Sequence, residues 1–337
     1  MTAGAVCPKA MTYGPCGGVQ ADGTCEVMPT PCVFLHGPLP AWSGPVARPT
    51  PRIGHGEVML ARAHAGRLVV TGLPARAMDS ASLRAAAREL RGSVDAVLMG
   101  DSGRERVQYP PSYRARLVQD EGLIAWPGVN CRDRNRVALE GELAALADIG
   151  VGGVHCVTGD HTASGHRPDA APVFDLDSPR LVAIAHALGL ATSVAESPAS
   201  PPVAQRAARV AMKAQAGADL CMLQYAGEVA DVAAFVAQVR AVAPGVGVLP
   251  GVPVLTDVAG ARLLASFAAA VLPAGYAERV LAADDPYETG IATAAALGRE
   301  LLAIDGVAGI VLAGGPAPGT ELAFARALAR VAEQLRD

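Results

Sequence analysis

Aromatic residues are scarce in this chain: 5 Phe, 6 Tyr and 2 Trp make 4% of 337 residues, although 51% are hydrophobic. That shortage disfavours a sandwich built on aromatics. The Ala, Val, Leu and Gly that replace them suit close-packed helices on a Val-rich sheet. Neither sign of charge dominates, with 28 Lys and Arg against 32 Asp and Glu for a net charge of -4, so there is no basic footprint for nucleic acid. No apolar run approaches the roughly 20 residues of a bilayer-spanning helix. No basic stretch followed by an apolar one stands at the N-terminus, and a soluble, cytoplasmic protein is expected. The length fits one large α/β barrel plus an extension, or two domains.

A disulfide framework is also missing. The 7 cysteines are an odd number, which fits a reducing compartment. Cys131, Cys156 and Cys221 fall in apolar runs and read as small buried hydrophobes. The other four, Cys7, Cys16, Cys25 and Cys32, crowd a segment over 1–55 that is rich in Gly and Pro and lacks helical periodicity. Such a segment buries little apolar surface and needs a staple. Glycines beside Cys16 and before Cys25 permit tight turns around a metal. Four thiolates suit structural zinc or an iron–sulfur cluster, with His36 as a substitute ligand; a segment of free thiols is the alternative. Prolines 38, 40, 45, 49 and 51 read as a linker or as an extended arm lying on the next domain.

From residue 67 the chain alternates short apolar runs with amphipathic stretches. Strands are expected over 68–70, 95–99, 122–131, 153–158, 190–195, 219–224, 246–250 and 307–313, with helices over 80–90 (capped by Asp79), 136–147, 179–187, 203–216, 229–242, from about 258, within 272–298, and over 320–335. Eight strand–helix units predict a (β/α)8 TIM barrel over 56–337. A doubly wound sheet is the alternative, but no Gly-x-Gly-x-x-Gly follows the first strand. Barrels keep their chemistry on the loops after the strands. The expected active face therefore collects Thr71, Asp101, Asn130–Arg134, Asp160–Arg167, Glu196, Gln224, Pro253 and Gly314.

The stretch 151–178 concentrates this signal. A buried strand breaks at Gly159-Asp160 into a loop holding His161 and His166. Asp160 reads as a functional carboxylate at a strand's C-terminal end, or else as a cap or turn residue. His161, His166 and Glu196 are candidate acid–base groups; solvated loop histidines and a capping or surface carboxylate are the bland readings. Arg132, Asp133, Arg134 and Arg136 form either an anion clamp or an ion-pair network around a helix start, with Asp133 as its cap and Asp175 or Asp177 as partners. Asp177 or Ser178 is expected to cap the next helix.

Five pieces in order resemble the methylenetetrahydrofolate reductase family: Asn130-Cys131-Arg132-Asp133-Arg134-Asn135-Arg136, Thr158-Gly159-Asp160, Val173-Phe174-Asp175-Leu176-Asp177-Ser178, Lys213 to Asp219, and Leu223-Gln224. The N-terminal Gly-Pro-Cys-Gly-Gly and Gly-Thr-Cys-Glu-Val resemble the cysteine-rich, zinc- or iron–sulfur-associated module that accompanies some members. The resemblance implies a barrel that binds a tetrahydrofolate derivative. It places Asp160 by the flavin and the pterin and Gln224 in hydrogen bonding to the pterin; Asn130, which stands where threonine is common, is expected at the substrate with Thr158 and Tyr225, and Lys213, Arg132 and Gly159 at the cofactor. Typical members pass hydride from NAD(P)H through FAD to the methylene carbon. Three features depart from the pattern. The first strand's glutamate has no counterpart in 70–76, a customary histidine is replaced by Gly128, and the flavin-side helix offers Arg206, Arg209 and Met212, with Lys213 alone matching. The residues for FAD are thus depleted while those that read a pterin persist. Reduction without flavin, one-carbon transfer or demethylation, and a non-catalytic folate-binding subunit that docks on a partner protein or a second copy are all compatible with that pattern.

Overall fold

The computed structural model describes residues 6–101, 105–266 and 270–336. Nine strands form one all-parallel sheet: β1 (Leu68–Gly72), β2 (Ala96–Met99), β3 (Ala125–Asn130), β4 (Val154–Val157), β5 (Thr192–Glu196), β6 (Leu220–Leu223), β7 (Gly247–Leu249), β8 (Gly251–Val254) and β9 (Gly309–Gly314). β1 to β7 each pair with their sequence neighbours, β8 pairs with β9, and β9 pairs with β1. β7 lies within the seventh strand expected over 246–250, and β8 is a further strand beyond its expected end. Pro250, which has no N–H to give a ladder, divides them. β7 stays on β6 while β8 turns onto β9. A parallel bridge between Val248 and Val307 completes the ring, so the architecture is the TIM barrel the alternation predicts.

The period-2 alternation of each strand sorts the core into two. Val69, Val97, Val129, Val154, Cys156, Val194 and Cys221 pack outward under the helices. Leu68, Val70, Ala96, Trp126, Leu220, Met222 and Leu249 fill the barrel interior. All three late cysteines are buried, as their apolar settings imply. Helix caps follow local chemistry: Asp79 accepts from Ser82 N at 2.9 Å, and Asn135, rather than Asp133, accepts from Ala138 N at 3.1 Å. Two further helices, Gly56–His64 and Pro111–Asp120, lie outside the expected set.

The segment ahead of β1 straps both ends of the barrel. Residues 6–37 sit on the C-terminal mouth, where the Asp177 carboxylate accepts from Thr12 N at 2.9 Å and Tyr13 N at 3.2 Å. Asp177 occupies a helix N-cap position, but its side chain serves the strap and does not cap the helix. The proline-rich arm then descends the barrel wall. Ala47 N donates to Gln215 O, His186 Nε2 meets Arg48 O at 2.8 Å, and Arg52 pairs with Asp219 at 2.5 Å. At the foot, Met59 and Ala63 of helix Gly56–His64 plug the N-terminal end against Leu68, Trp126 and Ala191. Met59 is 1% exposed, so Met59→Ala should lower unfolding free energy by about 2–5 kcal/mol. Urea denaturation is the measurement, and a loss under about 0.5 kcal/mol, the surface-substitution range, would remove the plug from the fold's support.

Candidate functional site

A cavity of about 410 Å³ opens at the C-terminal mouth between the barrel and the N-terminal segment. Among the residues singled out from sequence, Asp101, Asn130, Thr158, Gly159, Asp160, Lys213 and Gln224 line it. Asp160 leaves β4 behind Gly159, whose φ of +91° suits glycine and whose missing Cβ would lie 3.0 Å from Asn130 Cβ. The Asp160 side chain is 62% exposed, with Arg106 at 3.6 Å. Gln224 follows β6, its backbone N–H donating to Glu196 O at 2.9 Å. Thr158 is partly committed already, its hydroxyl accepting from Ser178 N at 3.0 Å.

The structure gives several other expected residues different surroundings. Glu196 is 2% exposed and is gripped by Lys213 Nζ at 2.8 Å, Arg206 Nη1 at 3.0 Å and Arg209 Nε at 3.3 Å. Burial alone would raise its pKa, but Lys213, Arg209 and Arg206 outweigh it and hold the carboxyl down at about 2. This setting favours the carboxylate and commits it to three cations, and Glu196 is not among the cavity-lining residues. His161 caps the short turn Thr162–Ser164 through Nδ1, stacks on Phe174 at 5.8 Å, and is absent from the cavity wall. Tyr225 is buried near Gly251 and also lies off the cavity. Arg132 is an internal strut: it grips Asp133 through two nitrogens and Asp101 at 2.6 Å, leaving no fork for a ligand. Thr71 is wholly buried, its hydroxyl donating to Leu312 O within the sheet. His166 contacts Glu105 at 3.3 Å and accepts from Arg106 N, away from the cavity wall.

Other wall residues were not expected at this mouth from sequence. Lys9, Met11, Cys16, Gly17, Gly18 and Glu26 of the N-terminal segment roof the cavity. Lys9 is buried and pairs with Glu26. The Glu26 carboxylate lies where a Cβ on Gly18 would be, which explains the glycine. Lys9 keeps its charge against burial because Cys16, Glu26 and Asp160 raise its pKa. Arg206 and Arg209 anchor this roof, donating to Cys16 O at 3.2 Å and Tyr13 O at 2.8 Å. His155, on β4, also faces the cavity; its signal was the inward strand position alone.

Cys7, Cys16, Cys25 and Cys32 all line one smaller cavity within the N-terminal segment itself, and burial together with the neighbouring Cys7 and Cys25 thiols raises the Cys32 pKa. The donor set suits a thiophilic metal. Among the described residues, however, no three Cys, His, Asp or Glu are arranged to hold an ion. No helix among the described residues is long and apolar enough to cross a membrane.

A family model described as methylenetetrahydrofolate reductase matches residues 94–311, and one described as methylene-tetrahydrofolate reductase C terminal matches residues 2–37. No curated protein sequence matches. The fold is similar to that of an uncharacterized protein from Clostridium thermocellum described as binding two copies of 5-methyl-5,6,7,8-tetrahydrofolic acid, with TM-score 0.58, 10% identity, and 81% of this chain and 98% of that one covered. An oxaloacetate acetylhydrolase structure aligns less well, with TM-score 0.43, 15% identity, and 66% of this chain and 81% of that one covered.

The Glu196 cluster makes a signed prediction. Its carboxyl is depressed from 4.5 to about 2 on folding. The stability it contributes is therefore complete above pH 4.5 and is lost as pH falls toward 2. Glu196→Gln leaves three buried cations uncompensated and should cost about 3–5 kcal/mol at pH 7, with a shallower acid dependence than wild type between pH 4.5 and 2. Urea unfolding across that range reads both; equal slopes for the two proteins would contradict the assignment.

Proposed function

Because the chain belongs to the methylenetetrahydrofolate reductase family, we propose that it is a folate one-carbon enzyme that binds a reduced folate in the barrel mouth and reduces or transfers its one-carbon unit. The observation that carries this reading is that Asp160 from β4 and Gln224 from β6 line the same cavity. A carboxylate and an amide together can read the donor and acceptor edge of a pterin. The carboxylate can also balance the cationic iminium formed when a methylene bridge opens. Glu26 brings a further carboxylate to the cavity from above, where the end of β1 offers none.

The residues present do not suit a flavin dinucleotide. The cations on the helix Arg206–Ala216, which the family resemblance assigns to the flavin side, are all turned onto Glu196. Cys16, Gly17 and Gly18 roof the mouth beside them. Direct hydride transfer from a nicotinamide, or one-carbon transfer without reduction, is the reading that these residues favour.

Purified full-length protein should bind 5-methyl- and 5,10-methylenetetrahydrofolate. Asp160→Asn and Gln224→Ala should each weaken binding about 10- to 100-fold, the worth of one strong polar contact, with melting temperatures unchanged. Calorimetric titration decides the binding, and NADH or NADPH oxidation with the methylene form decides the reaction. Tight binding without nicotinamide oxidation selects transfer over reduction, and no binding of any folate overturns the function. Elemental analysis settles the thiols: one bound zinc or a cluster per chain supports a metal at Cys7, Cys16, Cys25 and Cys32, whereas four titratable thiols without metal remove it.

A further inference from the structure

The interior of this barrel holds a buried polar chain across three adjacent strands. Trp126 Nε1 on β3 donates to Ser193 Oγ on β5 at 2.9 Å, and the same oxygen lies 2.9 Å from His155 Nδ1 on β4. The indole can span β4 because residue 153 is glycine: a Cβ there would meet the Trp126 ring at 2.4 Å. Trp126 and Ser193 are completely buried. An indole nitrogen only donates, so Ser193 Oγ accepts from it. The hydroxyl proton then needs an acceptor, because leaving it unpaired in the interior costs about 1–3 kcal/mol. His155 Nδ1 is the acceptor within reach, which puts the imidazole proton on Nε2. Burial, followed by the Lys213 charge, lowers the His155 pKa to about 4, so the ring is neutral at physiological pH.

The top of the barrel is hollow above this histidine. His155 pairs in register with Gly128, and Ala195 stands two residues beyond its other partner, Ser193. A Cβ on Gly100 would meet nothing within 4 Å. The cavity consequently descends past these small residues to His155, which lines it together with Lys213 and Gln224. We propose that His155, held as its Nε2–H tautomer by Ser193 and Trp126, is a ligand-binding residue at the cavity floor that donates a hydrogen bond to an acceptor on the bound heterocycle. This rests on the folate reading for the heterocycle's identity, but not for the tautomer. A neutral donor suits a carbonyl oxygen or an unprotonated ring nitrogen, and it discriminates against a ligand that presents N–H at that point, because two donors would then face each other.

Two measurements on the full-length chain separate this inference from the reading it rests on. In ligand-free protein, 15N-histidine NMR should show His155 with an unprotonated Nδ1, and Ser193→Ala should redistribute its tautomers. A protonated Nδ1 in the wild type would overturn the proposal without touching the folate assignment. Titration with 5-methyltetrahydrofolate should show His155→Ala weakened about 10- to 100-fold, with His155→Gln, whose amide can still donate, recovering part of the loss. Equal affinity of His155→Ala and wild type would also overturn the proposal while the folate reading stands. A wild type that binds no folate would sink that reading and the pterin clause here, leaving the NMR result to judge the tautomer. Ser193→Ala, which keeps the imidazole, carries both measurements if His155→Ala does not fold.

Discussion

One buried carboxylate organises the working end of this molecule. Glu196 sits at the end of β5 with Arg206, Arg209 and Lys213 around it, so a strand end, a helix and the mouth are locked by one charge cluster. Removing ions from water is costly, and such a cluster holds only if the remaining donors are also satisfied. Here the chain itself supplies acceptors. Arg206 donates to Ser200 O, Pro201 O and Cys16 O, and Arg209 to Tyr13 O. The same guanidiniums that neutralise Glu196 thereby fasten the N-terminal segment over the barrel. The cavity roof and the salt-bridge cluster are one structure, and a change in either is felt by both.

The electrostatics of the cavity follow from that arrangement. Three cations face one carboxylate, and Lys213 and Arg209 are themselves wall residues, so this side of the cavity is net positive. Elsewhere on the wall the carboxylates already have cations: Asp101 is held by Arg132 at 2.6 Å, Asp160 has Arg106 at 3.6 Å, and the roof holds the Lys9–Glu26 pair. The carboxylate with most room for a ligand is Asp160, whose side chain is 62% exposed.

The barrel was legible in the sequence because parallel strands buried on both faces leave short apolar runs that need no knowledge of tertiary partners. The gathering of Asp160, Gln224, Asn130 and Thr158 followed from topology, since all stand at strand ends. Glu196 stands at such an end too, and position alone therefore suggests an acid. Only the fold reveals that Arg206, Arg209 and Lys213, spaced along one face of a single helix, turn back onto it. Asp177 shows the same limit. Its position says cap, but its side chain serves Thr12 and Tyr13, more than 160 residues away in sequence. Pro250 shows the limit again: Pro127 lies inside β3 and Pro253 inside β8 without dividing either strand, so a proline in an apolar run does not by itself announce that the chain turns from β6 onto β9.

His155 shows how an imidazole can reach the mouth without any local motif to announce it. At residue 128, where the family resemblance implies a histidine, this chain has glycine, and that glycine's register partner on the adjacent strand is His155. The two positions share one layer of the barrel wall. A side chain at 128 would crowd Met99 O at 3.2 Å and partly close the shaft, so the small residue and the deep imidazole belong together. Clearing β3 leaves room beside β4, so within this layer the imidazole stands on β4 and faces the cavity. There, burial keeps it neutral, and Ser193 and Trp126 fix which nitrogen bears the proton. A rim imidazole in water titrates near physiological pH and turns freely. One at the floor is a fixed donor, and the chemistry it can assist narrows from proton exchange to recognition.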